Sequence, residues 1–245
     1  MHQTNATIIL MKPLLLLFII STFLSCGTEK SLQLPEIKHA KIIEVHDVSH
    51  AYLFYDETQP DSVELNRKNI ISTTNWLINV DKRLTLGQAI PKITYLQDKK
   101  RNAKMHKNEA AKNYYTCNDT SIQNLGFLEF TDVVYEIVNI ENDSTRIQTL
   151  KPEAYHLKMA SYHAKSTLSI IIYNDKSIKI GNEIISIDKF QKKINALINK
   201  YNFIGFHLEF YFNKKMTFQN YISIKSELLK AKSDTISFDN NEFIY

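Results

Sequence analysis

A stretch of 25 residues recurs 132 positions later without a gap, and this constrains the architecture more than any local pattern does. Trp76–Lys100 reads WLINVDKRLTLGQAIPKITYLQDKK, and Leu208–Lys232 reads LEFYFNKKMTFQNYISIKSELLKAK. Lys82, Thr85, Ile90, Leu96 and Lys100 fall on Lys214, Thr217, Ile222, Leu228 and Lys232, and Asp81, Arg83 and Leu84 meet Asn213, Lys215 and Met216. Each copy predicts the same unit. An apolar β run ends at a polar turn, and Thr85 or Thr217 N-caps a helix by accepting a bond from one of its unpaired N–H groups. Gln88 stands three residues after Thr85 and completes a capping box. In the second copy Phe218, Tyr221, Ile222, Lys225, Leu228 and Leu229 have the three-to-four spacing of an amphipathic helix. Pro91 conflicts with a helix starting at Leu86, since it removes an internal donor, so the first helix is expected to kink or to begin near Pro91.

Around these units the pattern is mostly β. Ala51–Tyr55 alternates as a strand, Asp56–Asp61 is a turn containing Pro60, and Phe127–Val138 is strand-like. The polar stretch Arg101–Asn124 is expected to be an inserted loop or an irregular helix. Further on, Ser166–Tyr173 and Ser177–Ile185 read as strands around an Asn174–Lys176 turn. A helix opens at Asp188 and runs to about Tyr201, Phe206–Phe212 is a strand, Thr217–Ala231 a helix, and Thr235–Phe238 a last strand. The order ββαβαβ predicts an α+β fold, a two-layer α/β sandwich with helices on one face of a mixed sheet, in two tandem copies if the repeat holds. The expected divisions are a signal peptide over 1–25, a lipidated tether over 26–40, an N-terminal α/β domain over 41–138, a linker over 139–164 and a second α/β domain over 165–245.

The second half resembles the periplasmic domain of the ExbD/TolR family of biopolymer transport proteins. The resemblance covers about residues 166–239. It rests on the strand pair around Asn174–Lys176, the Gly181-Asn182-Glu183 dip before a helix, and the strand–Asn213-Lys214-Lys215–helix unit. Asp81-Lys82 in the first half matches the family's Asp-Lys turn more closely than Asn213-Lys214 does. The resemblance implies a non-catalytic domain that associates in pairs and serves envelope energy transduction. Family members carry a transmembrane helix with a proton-handling acid. This chain shows a lipid anchor in its place, so direct proton coupling does not carry over.

The anchor is read from the N-terminus. Lys12 precedes the apolar run Leu14–Ile20, and small and apolar residues lead to Phe23-Leu24-Ser25-Cys26-Gly27. A cation, a short apolar core and a small residue before the cut make a signal peptide. The run is too short to span a bilayer, which takes about 20 apolar residues. The ending resembles the lipobox of bacterial lipoproteins, in which the cysteine is lipidated, and Gly27 after it favours the outer membrane, on the periplasmic side.

The sequence excludes several chemistries. The five glycines stand at 27, 87, 126, 181 and 205. With none close to another, a phosphate-binding loop, a dinucleotide fingerprint and a nucleophile elbow are absent. No cofactor and no nucleic-acid partner is expected. His46 and His50 could share a face, but no third ligand can be nominated for a zinc site. Cys117 is alone once Cys26 carries lipid, and reads as an incidental thiol. From Asp81 to Lys112 nine Lys or Arg stand against three acids, a composition suited either to a solvated helix and loop or to an anionic partner. Lys82, Arg83, Lys99, Lys100 and Arg101, with Tyr114 and Tyr115 for stacking on sugar rings, are the candidate binding residues. The reading is a non-enzymatic, lipid-anchored periplasmic binding module, an accessory of envelope energy-transduction or transport machinery acting on envelope proteins, with homodimerisation as an option. The alternative is a peptidoglycan-binding lipoprotein. The edge of Thr235–Phe238 is the expected docking strand.

Overall fold

The computed structural model describes residues 30–103, 108–138, 166–173, 177–181, 183–201, 206–230 and 233–245. The signal segment, Cys26, the 139–164 linker and the Asn174–Lys176 turn lie outside these residues. Among the described residues, two mixed sheets of six strands and three α-helices make an α+β fold. The first sheet is built from β1 (Glu36–Ile37), β2 (Val48–Tyr55), β3 (Val63–Asn66), β4 (Asn75–Val80), β5 (Asn113–Asp119) and β6 (Asn124–Glu129). Its order is β6–β5–β4–β2–β3. β4 pairs with the first half of β5, while β1 pairs with Asn118 and Asp119 at its far end. The second sheet runs β10–β9–β8–β11–β12–β7. Its strands are β7 (Val134–Ile137), β8 (Ser166–Ile172), β9 (Ser177–Ile180), β10 (Glu183–Ser186), β11 (Phe206–Phe212) and β12 (Ile236–Ile244). The helices are α1 (Leu86–Arg101), α2 (Phe190–Tyr201) and α3 (Phe218–Lys230).

The two copies of the repeat have the same conformation. β4, the turn at Asp81 and α1 correspond to β11, the turn at Asn213 and α3. The turns are closed alike. The Asp81 carboxylate accepts from the Arg83 N–H at 3.0 Å, and the Asn213 amide oxygen accepts from the Lys215 N–H at 2.9 Å. Thr85 caps α1 through the Gln88 N–H, and Thr217 caps α3 through the Asn220 N–H, both at 3.3 Å. The expected capping box is complete, since Gln88 also accepts from the Thr85 N–H at 2.8 Å. The strands agree as well. β2, β4 and β5 run parallel with β3 antiparallel beside β2, as β8, β11 and β12 run parallel with β9 antiparallel beside β8.

The copies meet at their caps, where Thr85 and Thr217 form an antiparallel bridge. The backbone bonds across this seam come in pairs related by the same offset. Leu86 N–H donates to the Met216 carbonyl at 2.8 Å and Phe218 N–H to the Leu84 carbonyl at 2.6 Å; Gly87 donates to Lys214 at 2.8 Å and Gln219 to Lys82 at 3.2 Å. This is the reciprocity of a two-fold interface, in which residue i meets j and j meets i, here within one chain. It also explains Pro91. α1 starts at Leu86, contrary to one expectation, because its first N–H groups are satisfied by the other copy and its first turn buries Leu86, Ala89 and Ile90. Pro91 then faces solvent within a continuous helix.

Three elements differ from expectation. Asn113–Asp119 is a strand rather than part of a loop or irregular helix; Tyr114, Tyr115, Thr116 and Cys117 are β-formers, and burial on both faces hides the alternation that would mark them. β12 runs on to Ile244. Finally, β7 leaves the first half and pairs in parallel with Asn241–Ile244 of β12 in the second sheet. One core runs through both halves: Trp76, Tyr115 and Leu86 share it with Phe212, Phe218 and Tyr221. Each such side chain contributes about 1.5–3 kcal/mol by leaving water. The compact unit extends from Leu32 to Tyr245, so the folded chain begins inside the stretch assigned to a tether. Among the described residues no helix is long and apolar enough to cross a membrane.

Candidate functional site

The densest buried polar chemistry joins the two halves. The Tyr115 hydroxyl on β5 lies 2.5 Å from that of Tyr135 on β7, and Tyr135 lies 3.0 Å from Tyr221 on α3. Tyr221 donates to Glu242 of β12 at 2.7 Å, and the other Glu242 oxygen takes a charged bond from Lys225. Burial holds all three phenols well above their usual range, with the next contribution from Tyr135 at Tyr115 and from the Glu242 charge at Tyr135 and Tyr221. Each keeps its proton. Because Tyr221 gives its hydrogen to the carboxylate, Tyr135 must donate to Tyr221 and Tyr115 to Tyr135. The chain of hydroxyls is therefore ordered head to tail, an arrangement in which each bond polarises the next. Lys225 and Glu242 are 6 % exposed each and neutralise one another. Nothing in this set is a free base or nucleophile, and its plain effect is to fix how β5, β7, α3 and β12 meet.

The ion pair lines a pocket of about 100 Å³. Phe210 and Phe212 of β11, Leu228 and Leu229 of α3 and Phe238 of β12 supply apolar walls, and Glu129, Asp239 and Asn240 add polar lining. Beside it the register of β12 slips, since Leu208 faces Phe238 but Phe210 faces Glu242. Such bulges re-aim side chains and end pairing. β7 covers β12 only from Asn241 onward, and among the described residues no strand covers that edge at Phe238–Asn240. The expected docking edge, Thr235–Phe238, is therefore corrected in part. One side of β12 is taken by β11, its far end by β7, and Ile236 is buried with its N–H given to the Ser233 carbonyl at 3.1 Å. Among the described residues, the stretch left without a strand beside it is short and adjoins this pocket.

The sequence-predicted binding residues do not come together as one surface. Lys82 pairs with Glu36 at 2.8 Å. Arg83 pairs with the buried Asp81 at 2.7 Å and lies over the Tyr55 ring at 4.9 Å. Lys99 is exposed in the last turn of α1, and Arg101 bonds Asp98 and the Val133 carbonyl. Lys100 is buried. It donates to Asn113 and the Lys112 carbonyl at 2.9 and 3.0 Å, lies 4.9 Å over Trp76, and burial pulls its amine down to about 8. Tyr115 is fully buried and stacks on Phe130 with centroids 3.8 Å apart, while Tyr114 is 8 % exposed on the other face of β5. Neither ring is presented for stacking on a sugar, since strand neighbours point to opposite faces and both faces here are covered. Cys117 is a core residue of β5, not a loop thiol, and burial raises its thiol. His50 stacks on Tyr52, 6.0 Å between centroids, and His46 stands exposed beside Glu44.

The sequence carried one sign of the buried pair. Lys225 falls on the apolar stripe of α3, and a cation on a buried face requires an ionic partner. Glu242 and Tyr135 had no comparable sign, because their neighbours are fixed only by strand pairing across the two halves. No family model matches the chain, and no curated protein and no solved structure matches it significantly.

Proposed function

We propose that this chain is a non-enzymatic, lipid-anchored module of the bacterial envelope that binds an extended segment of a partner protein. The observation that carries the reading is the edge of β12 at Phe238–Asn240, which no strand covers among the described residues, beside the pocket walled by Phe210, Phe212, Leu228 and Leu229. Unpaired strand edges accept a further strand through their backbone groups, and a neighbouring pocket selects a side chain. The lipobox-like ending at Cys26 and the resemblance to ExbD/TolR domains support placement on the periplasmic side, as an accessory of energy-transduction or transport machinery. Two variants test the parts separately. Cys26→Ser should release the protein from washed membranes, and unchanged sedimentation would remove the anchor. A photo-crosslinking residue at Asn240, in the full chain in native membranes, should trap one envelope protein, and Leu229→Glu in the pocket wall should abolish that product. Equal crosslinking in the Leu229→Glu protein would overturn the binding site. Peptidoglycan is the second reading. It is weakened by the burial of Tyr115 and Lys100, and cosedimentation with purified sacculi unaffected by Leu229→Glu would favour it.

A further inference from the structure

The segment Gln33–Ala40 behaves as a strap bound by both copies of the repeat. Gln33 N–H donates to Asp81 at 3.3 Å, and its carbonyl accepts from the Lys82 N–H at 2.7 Å. The Gln219 side chain of the second copy grips the Glu36 backbone from both sides, accepting its N–H at 2.8 Å and donating to its carbonyl at 2.9 Å. Pro35 and Ile37 carbonyls accept from Asn118 and Thr120, Ile37 is buried, and Asp119 takes the N–H groups of His39 and Ala40. The chain therefore enters the fold at a fixed point, the seam where the turns Asp81–Arg83 and Asn213–Lys215 meet.

We infer that this seam end is a membrane-facing surface, held against a lipid bilayer by a tether too short to let the body move away. The inference rests on lipidation of Cys26. Seven residue steps separate Cys26 from Gln33, and that much chain spans at most about 25 Å even when fully extended. Lys214 and Lys215 are exposed on the second turn, while on the first Arg83 and Lys82 are ion-paired with Asp81 and Glu36, which leaves two lysines against the exposed Glu57. The excess of cations suits an anionic headgroup layer. α1 starts at the seam and its sixteen residues carry Lys99 about 20 Å away from it, which provides a ruler.

The full lipoprotein, reconstituted in vesicles of phosphatidylethanolamine and phosphatidylglycerol with a headgroup acceptor dye, carries a donor at Lys215→Cys or at Lys99→Cys. Cys117 is buried and Cys26 lipidated, so the introduced thiol is the one labelled. Energy transfer from position 215 should be at least about twice that from position 99. Equal transfer, or more from position 99, with the protein still vesicle-bound, would overturn the orientation and leave the anchor in place. A Cys26→Ser protein that stays bound and gives the wild-type pattern would overturn the tether argument together with the anchor.

Discussion

Several single side chains here have environments sharp enough to predict their behaviour. Gly126 sits under the strap. A Cβ there would stand 2.5 Å from the Ala40 Cβ, and 3.2 Å from the Ile37 side chain. Gly126→Ala should therefore cost about 1–3 kcal/mol, as overpacking does, and should raise protease cleavage or hydrogen exchange at residues 33–40 before the core is affected. The Asp119 carboxyl is held down at about 2, first by the Ser121 hydroxyl and then by the Ala40 N–H. Its folded value lies below the ordinary value of 3.8, so the stability it contributes is complete above that and is lost as pH falls towards 2. Acid titration followed by strap exchange should show loosening between about pH 4 and 2, and Asp119→Asn should flatten the curve. Lys225→Met would strand the Glu242 charge in the core and should cost about 3–5 kcal/mol in denaturant unfolding, whereas Lys225→Met with Glu242→Leu should recover most of it. If the double variant is no better than the single one, the stranded Glu242 charge is not the source of the loss.

At the level of elements, local rules and long-range pairing divide the work. α1 illustrates both. Its capping box is written within four residues, yet its start at Leu86, ahead of Pro91, is held by carbonyls from the other copy. Thr85→Ala and Thr217→Ala each remove a cap and should each cost about 1 kcal/mol. Because the two caps touch across the seam, their effects should not add, and a thermal unfolding cycle measures the coupling. β7 is the contrary case. Its sequence, Val134-Tyr135-Glu136-Ile137, says strand, but nothing in it names β12 as its partner. Tyr135→Phe removes the hydroxyl that links Tyr115 to Tyr221 and should cost about 1–3 kcal/mol, the penalty of leaving a buried polar neighbour unmatched.

Across the whole described chain, the two α/β units pack as two subunits of a two-fold pair would, and β7 then crosses from the first to the second. The seam between the copies is occupied within the one chain by the paired backbone bonds of the two caps. Unfolding of residues 32–245 should accordingly be a single cooperative transition by fluorescence of Trp76 and by far-UV dichroism, because one core and one polar chain tie the units together. Non-coincident transitions would mean that the units melt apart.

What the sequence determined by itself was the content of each unit: the strand–turn–helix at Trp76 and at Leu208, the Thr85 box, the α3 stripe and the α+β class. These follow from periodicity, capping and turn chemistry, which act over a few residues and leave a pattern in their order. Tertiary structure alone decided that Tyr115 and Lys100 are core, that Glu36–Ile37 is a strand beside β5, and that β7 pairs with β12 from Asn241 onward. A fully buried strand loses the alternation that would identify it, and a strand partner 100 residues away contributes hydrogen bonds that no local pattern encodes. β7 begins its pairing with β12 only at Asn241, so among the described residues the edge before it has no strand beside it, and that contact joins halves that the sequence presents as separate.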